Sequence, residues 1–257
     1  MWGHIEGSHV SLNIIRKLVM RLNDGFICYT ESDAMTLKEP FYGLTTKTCS
    51  LGNSLYSVSD FLSIRKITNY KKKFDVLNLV YSGRIIGSKM VEELIDTFVV
   101  LLNAENSVVD KLHIIGEGGL KNKMIEKVQK LNLEEKIIFH GYVDKIEDLA
   151  LIYNQCHISV SYGYLGLNVI QSFAFGLPMI YNESVNNSPE VEACIDGINS
   201  FSFCTSADFI QKFSLVRKIL PLDNLSTFSV QDYVCQNYNV DQMALNFYNF
   251  ITNNLKS

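Results

Sequence analysis

With 257 residues, 47% of them hydrophobic, and a formal net charge of −4, the chain is long enough for one large domain or two small ones. The slightly acidic balance excludes the basic footprint of a broad nucleic-acid binder. No apolar run reaches the roughly eighteen residues a membrane helix needs, and the start, Met1-Trp-Gly-His-Ile-Glu6, lacks the basic and apolar regions of a secretory signal.

In chain order, Leu12 to Leu22 reads as a helix, Gly25 to Tyr29 as a strand, Glu31 to Lys38 as a helix and Lys47 to Leu51 as a strand. These units are too few to close a sheet around its own core. Residues 1–60 are therefore expected to form only part of a domain. They should expose apolar surface near Leu12 to Leu22 and Phe26 to Tyr29. Residues 61–75 read as a connection. Their run Lys71-Lys72-Lys73 suits either a solvated linker or attraction to an anionic membrane surface.

From Val76 onward apolar runs alternate with amphipathic ones. Val76 to Ser82 is a strand. Met90 to Asn103 is a helix, with Val91, Ile95 and Val99 on one stripe and Leu94, Phe98 and Leu102 beside it. Lys111 to Ile115, Ile137 to Phe139 and Ile158 to Val160 are further strands, with helices over Lys121 to Leu131 and Ile146 to Asn154 between them. Leu167, Ile170 and Ala174 recur at helical spacing. Gly176 stops that helix, and Pro178 opens a last strand toward Tyr181. Strands without polar alternation, separated by helices, predict a parallel sheet covered on both faces over 76–235. Residues 236–257 contain a closing helix, Val240 to Leu255, with Met243, Ala244, Phe247, Phe250 and Ile251 at helical spacing. The six cysteines, Cys28, Cys49, Cys156, Cys194, Cys204 and Cys235, form no Cys-x-x-Cys pair. They read as buried thiols of a reducing, cytoplasmic protein rather than a zinc site. His113, His140 and His157 lie in or beside strands and read as structural.

Gly163 and Gly166 bracket the turn between a strand end and a helix start. Backbone N–H groups at the positive end of a helix suit a phosphate, although a plain tight connection has the same signature. The flanks add specificity. They are Tyr81-Ser-Gly-Arg84-Ile-Ile-Gly-Ser-Lys89, Ile114-Ile-Gly-Glu-Gly-Gly-Leu120, Ile138-Phe-His-Gly-Tyr-Val143, Ser188-Pro-Glu190 and Asp196-Gly-Ile-Asn199. Each of the first three follows a strand, where ligands of parallel sheets bind. In this order and spacing the motifs resemble the nucleotide-sugar-binding half of glycosyltransferase family 4, a retaining family with the GT-B fold. The resemblance covers about Val76 to Phe203. It implies an α/β protein of GT-B type. One Rossmann-like, doubly wound parallel-sheet domain would be complete, joined to the C-terminal part of a second and so truncated at the N-terminal side. In the family the closing helix crosses back onto the first domain. An ordinary packing helix has the same pattern.

Carried over from the family, Gly83, Arg84 and Lys89 hold the donor diphosphate, where fixed cations stabilise the leaving group. Gly163, Tyr164, Leu165, Gly166 and Leu167 add backbone donors. Gly116 belongs to a glycine turn near the donor. Tyr142 and Val143 match positions whose backbone meets the nucleobase, and Tyr164 would stack on a base or sugar. Glu190 either contacts ribose or caps a helix. His4 corresponds to a catalytic histidine near the reacting sugar, or is incidental. The family's frequent Glu-x7-Glu falls on Gly163 and Gln171, neither acidic. A polysaccharide-assembly subset resembles this chain in that loop; donor hydroxyls there would be held by loop amides, Asn168 or Gln171.

The reading is a metal-independent, retaining glycosyltransferase with no cofactor beyond its nucleotide-sugar donor. It would transfer to a glycan or lipid-linked glycan acceptor in O-antigen or capsule assembly. It would work in the cytoplasm, with peripheral attachment to the inner membrane face left open. The rivals are a donor-binding remnant or partner subunit, and a dinucleotide-binding oxidoreductase. The last is disfavoured because Gly116-Glu-Gly-Gly119 is not Gly-x-Gly-x-x-Gly.

Overall fold

The structure of the protein is a computed structural model that describes residues 18–20, 22–38, 47–68, 74–105, 107–219 and 227–255. The chain divides into two compact units. One comprises residues 1–58 with 237–257, the other residues 59–236.

In the smaller unit, β1 (Gly25–Cys28) pairs in parallel with β2 (Lys47–Ser50), and α1 (Glu31–Lys38) lies between them in sequence. The closing helix, Val240–Leu255, belongs to this unit. Its Asn246 carbonyl lies 3.8 Å from the Cys49 thiol, and its Phe250 ring packs so near Gly25 that a Cβ there would meet Cζ at 2.7 Å. The helix therefore folds back onto β1 and β2. Leu18, Val19, Leu22, Ile27 and Tyr29 are exposed. The rest of the expected helix, residues 12–17 and 21, lies outside the described residues, as does the lysine run at 71–73.

In the larger unit α2 (Val58–Ile67) extends into the segment read as a connection and buries Phe61 and Ile64. Six described strands follow: β3 (Leu77–Ser82), β4 (Val109–Ile115), β5 (Ile137–Gly141), β6 (Ile158–Ser161), β7 (Met179–Asn182) and β8 (Ser200–Phe203). All pair in parallel in the order β5-β4-β3-β6-β7-β8. The chain thus winds outward from β3 first one way and then the other, as in a doubly wound sheet. β3 and β6 are buried along nearly the whole strand; in β6 Ile158 and Val160 alternate with Ser159 and Ser161, whose buried hydroxyls bond to Ser172 Oγ and the Gly163 carbonyl. Helix α3 (Val91–Leu102) buries Val91, Leu94, Ile95 and Phe98 of the two expected stripes, leaves Val99 and Leu102 half-buried, and buries Leu101, which was in neither. Leu79, Ile114, Val160, Ile180 and Phe98 meet in one core with Tyr162, Phe203 and Phe209. The helix Asn168–Ala174 ends where Gly176 is expected to stop it. Gly176 has φ +71°, its N–H donates to Phe173 and the Leu177 N–H to Ser172, which closes the helix end.

One thiol expectation changes. Cys156 is the one cysteine that is fully buried, while Cys204 is exposed beside Glu183 on the rim of β8, so burial does not explain all six. His113 and His140 form a pair across β4 and β5. His113 is in register with Ile138, and His140, two residues on, lies on that same face; the rings stack at 5.2 Å with His113 Nδ1 2.9 Å from His140 Nε2.

Candidate nucleotide site

The sheet order reverses between β3 and β6, and ligands of such sheets bind beyond the carboxyl ends of the strands at that point. The loops after β3, β4 and β6 converge there. Tyr81, buried at the end of β3, donates its hydroxyl to the Arg84 carbonyl at 2.7 Å and so fixes the turn that carries Arg84. The β4 loop presses on that turn. Gly116 has φ +136°, and a Cβ on it would sit 1.9 Å from the Gly83 carbonyl oxygen. Only glycine fits both constraints.

The turn then runs through a short 3-10 segment, Gly87–Lys89, into Met90, whose φ of 50° and ψ of 43° are left-handed. That conformation is uncommon for a side chain of this size. It brings Lys89 round toward the β6 loop. Arg84 is exposed and Lys89 half-buried. Burial, and after it repulsion from Arg84, lowers the Lys89 pKa below the ordinary lysine range; the Glu190 carboxylate opposes that shift. Glu190 itself is buried at the start of the 3-10 helix Pro189–Ala193. Arg84 and Lys89, on the turn after β3, and Glu190, on the 3-10 helix Pro189–Ala193, thus form one electrostatic group reached from two separate segments.

The β6 loop packs directly against the Lys89 turn. The Tyr164 N–H donates to the Ser88 carbonyl at 2.9 Å, and a Cβ on Gly163 would lie 2.3 Å from the same oxygen. Leu165 is buried; its N–H donates to Asn187 Oδ1 and its carbonyl accepts from the Ser188 N–H. The Gly166 N–H donates to Asn168 Oδ1. Three of the N–H groups read as phosphate donors are therefore engaged by the protein. Those of Leu167 and Asn168 have no acceptor among the described residues. Gln171 accepts a 2.7 Å hydrogen bond from Ser82 Oγ, tying the helix after the loop to the end of β3.

Above Gly166 lies a small space. A Cβ placed there would meet Ser188 Oγ, Lys89 Nζ and Tyr164 Cε1 at 3.8, 3.9 and 3.9 Å. Ser188 escaped the sequence reading as a polar group in its own right. Its hydroxyl is buried without a hydrogen-bond partner among the described residues. The signal available was only its place before Pro189-Glu190. Asn187, which holds the loop, carried none. Tyr142 and Val143 follow β5, two strands from β3; Tyr142 is exposed. His4 lies outside the described residues. Among those residues no three His, Cys, Asp or Glu side chains converge as a metal-ligand set, and no helix is long and apolar enough to cross a membrane.

A protein-family model described as glycosyl transferases group 1 matches residues 63–202. Poly(ribitol-phosphate) alpha-N-acetylglucosaminyltransferase of Staphylococcus aureus (strain COL) is 28% identical over 133 residues, which are 49% of this chain and 25% of that protein. Mannosylfructose-phosphate synthase of Agrobacterium fabrum is 31% identical over 137 residues, 50% of this chain and 30% of that one. The pneumococcal O-GlcNAc transferase GtfA, solved with UDP and GlcNAc, superposes with a TM-score of 0.70 at 16% identity, over 95% of this chain and 47% of that chain. The chain thus spans about half the GtfA chain and less than a third of either curated relative. Likeness at 16% identity speaks to the fold, and the fold is that of GT-B glycosyltransferases.

Proposed function

We propose that this chain, which belongs to the glycosyl transferases group 1 family, takes a sugar from a nucleotide-sugar donor and transfers it with retention to a glycan or lipid-linked glycan. The setting we propose is surface polysaccharide assembly on the cytoplasmic side of the membrane. The observation that carries the reading is the meeting of Arg84, Lys89 and the Gly166 loop at the reversal point of the sheet. A departing nucleoside diphosphate gathers negative charge, and two fixed cations beside it stabilise that charge where water is partly excluded. The GlcNAc transferase among the relatives and UDP in the GtfA structure support the donor class and make UDP the first probe. Glu190, buried two residues past Ser188, would accept from donor hydroxyls where Gly163 and Gln171 supply no carboxylate. His4 would act on the acceptor side.

Calorimetry with UDP tests the donor site. A charge-assisted phosphate contact contributes about 1.5–3 kcal/mol, so Arg84→Ala and Lys89→Ala should each weaken UDP binding by about ten- to a hundredfold. Added magnesium or a chelator should change the affinity little. Unchanged affinity in both variants would remove the assignment. Turnover of a lipid-linked acceptor extract by the chain alone would separate an enzyme from a donor-binding partner subunit.

A further inference from the structure

Residue 164 is tied to the Lys89 turn three times. Its N–H donates to the Ser88 carbonyl at 2.9 Å. Its own carbonyl accepts from Lys89 Nζ at 2.5 Å. Its ring lies beneath the same ammonium, 4.7 Å from nitrogen to ring centre. A lysine side chain is otherwise a long, rotamer-rich stem. Here its head borders the space above Gly166, which Ser188 Oγ borders as well. The aromatic face and the carbonyl both favour the charged head, in a place where Arg84 opposes it.

We infer that Tyr164 is a positioning residue for Lys89: its ring holds the ammonium where a donor diphosphate oxygen arrives, rather than stacking on the nucleobase or sugar. The inference rests on the reading of Lys89 as a diphosphate ligand. A lysine already fixed in place loses less freedom when the ligand binds, so affinity is gained without a new contact to the ligand. Only the ring can be varied by substitution, because the carbonyl belongs to the backbone. The loop's attachment through Ser88, Asn187 and Ser188 is also backbone on the loop side, so changes to the ring leave it intact.

The test is a double-mutant cycle on UDP affinity. Tyr164→Ala and Tyr164→Leu should each weaken UDP about three- to tenfold, the range of one partly exposed cation–π contact. Tyr164→Phe keeps the aromatic face and should stay within about twofold of the parent. In a Lys89→Ala background Tyr164→Ala should cost less than about twofold more, because the group it positions is gone. Equal losses with and without Lys89 would mean that the ring touches the ligand itself, and would overturn the inference while leaving the diphosphate reading standing. A parent-like Tyr164→Leu, or a Tyr164→Phe as weak as Tyr164→Ala, would overturn it as well. If Lys89→Ala itself leaves UDP binding unchanged, the diphosphate reading falls and this inference falls with it.

Discussion

Gly163→Glu, which would reinstate the first carboxylate of Glu-x7-Glu, is expected to abolish UDP binding and destabilise the larger unit instead of improving the site. The reason is steric and local. A Cβ at residue 163 would lie 2.3 Å from the Ser88 carbonyl oxygen, 2.5 Å from the Lys89 carbonyl carbon and 2.7 Å from Lys89 Cα. All three are backbone atoms, so no rotamer change relieves them. Either the β6 loop must lift or the Gly87–Lys89 turn must move, and both carry the hydrogen bond from the Tyr164 N–H to Ser88. Overpacking of this kind costs about 3 kcal/mol or more. For a unit of this size that lowers Tm by about 6–12 °C. Gly163→Ala should show most of the same drop, because the clash begins at Cβ. Thermal melts and UDP calorimetry on both variants check the result. A stable Gly163→Glu protein with parent-like or tighter donor binding would show that the loop can open to admit the side chain.

The same contact shows where sequence reasoning reaches and where it stops. Glycine at 163 and 166 was legible as a turn after a strand, and the alternation of apolar runs placed β3 through β7 and the helix that Gly176 closes. These features are local in sequence, set by periodicity and by residues that break it. Why residue 163 must be glycine was not legible, because the atoms that forbid a side chain come from a turn about 75 positions earlier. Lys89 could be marked as a diphosphate ligand by its motif. Its attachment to the Tyr164 ring and carbonyl depends on which loops meet at the reversal of the sheet. Ser188 is another case: a serine before proline is ordinary in sequence, and only burial without a partner sets it apart. Cys204 erred the other way, since a cysteine type is usually buried but this one sits just past the end of β8. Histidines 27 positions apart carried no sign of pairing, because the register that sets His113 beside Ile138, and so His140 on the same face, comes from the pairing of β4 with β5.

That histidine pair makes a second large effect expected, on stability rather than binding. The larger unit should lose about 3 kcal/mol of folding stability between pH 7 and pH 4 through His113. His113 is buried, its Nε2 has no partner among the described residues, and its Nδ1 faces His140. Burial first, then repulsion from His140 and Lys111, with Asp110 opposing, push its pKa down from 6.5 to about 4; burial also lowers that of His140. The unfolded chain then takes up a proton near pH 6.5 that the folded chain refuses until about pH 4. The stabilisation is therefore complete above pH 6.5 and declines as pH falls through that window, each unit costing about 1.4 kcal/mol. Carboxylates add their own acid sensitivity below about pH 5, so the comparison must be internal. His113→Gln should be less stable than the parent at about pH 7.5, because a fitted ring is lost from the sheet. Its denaturation midpoint should change less between about pH 7 and pH 5 than that of the parent, whose unfolded chain gains a proton at His113 that the folded chain refuses. Parallel pH profiles for the parent and His113→Gln would show that the pair does not govern the acid limb.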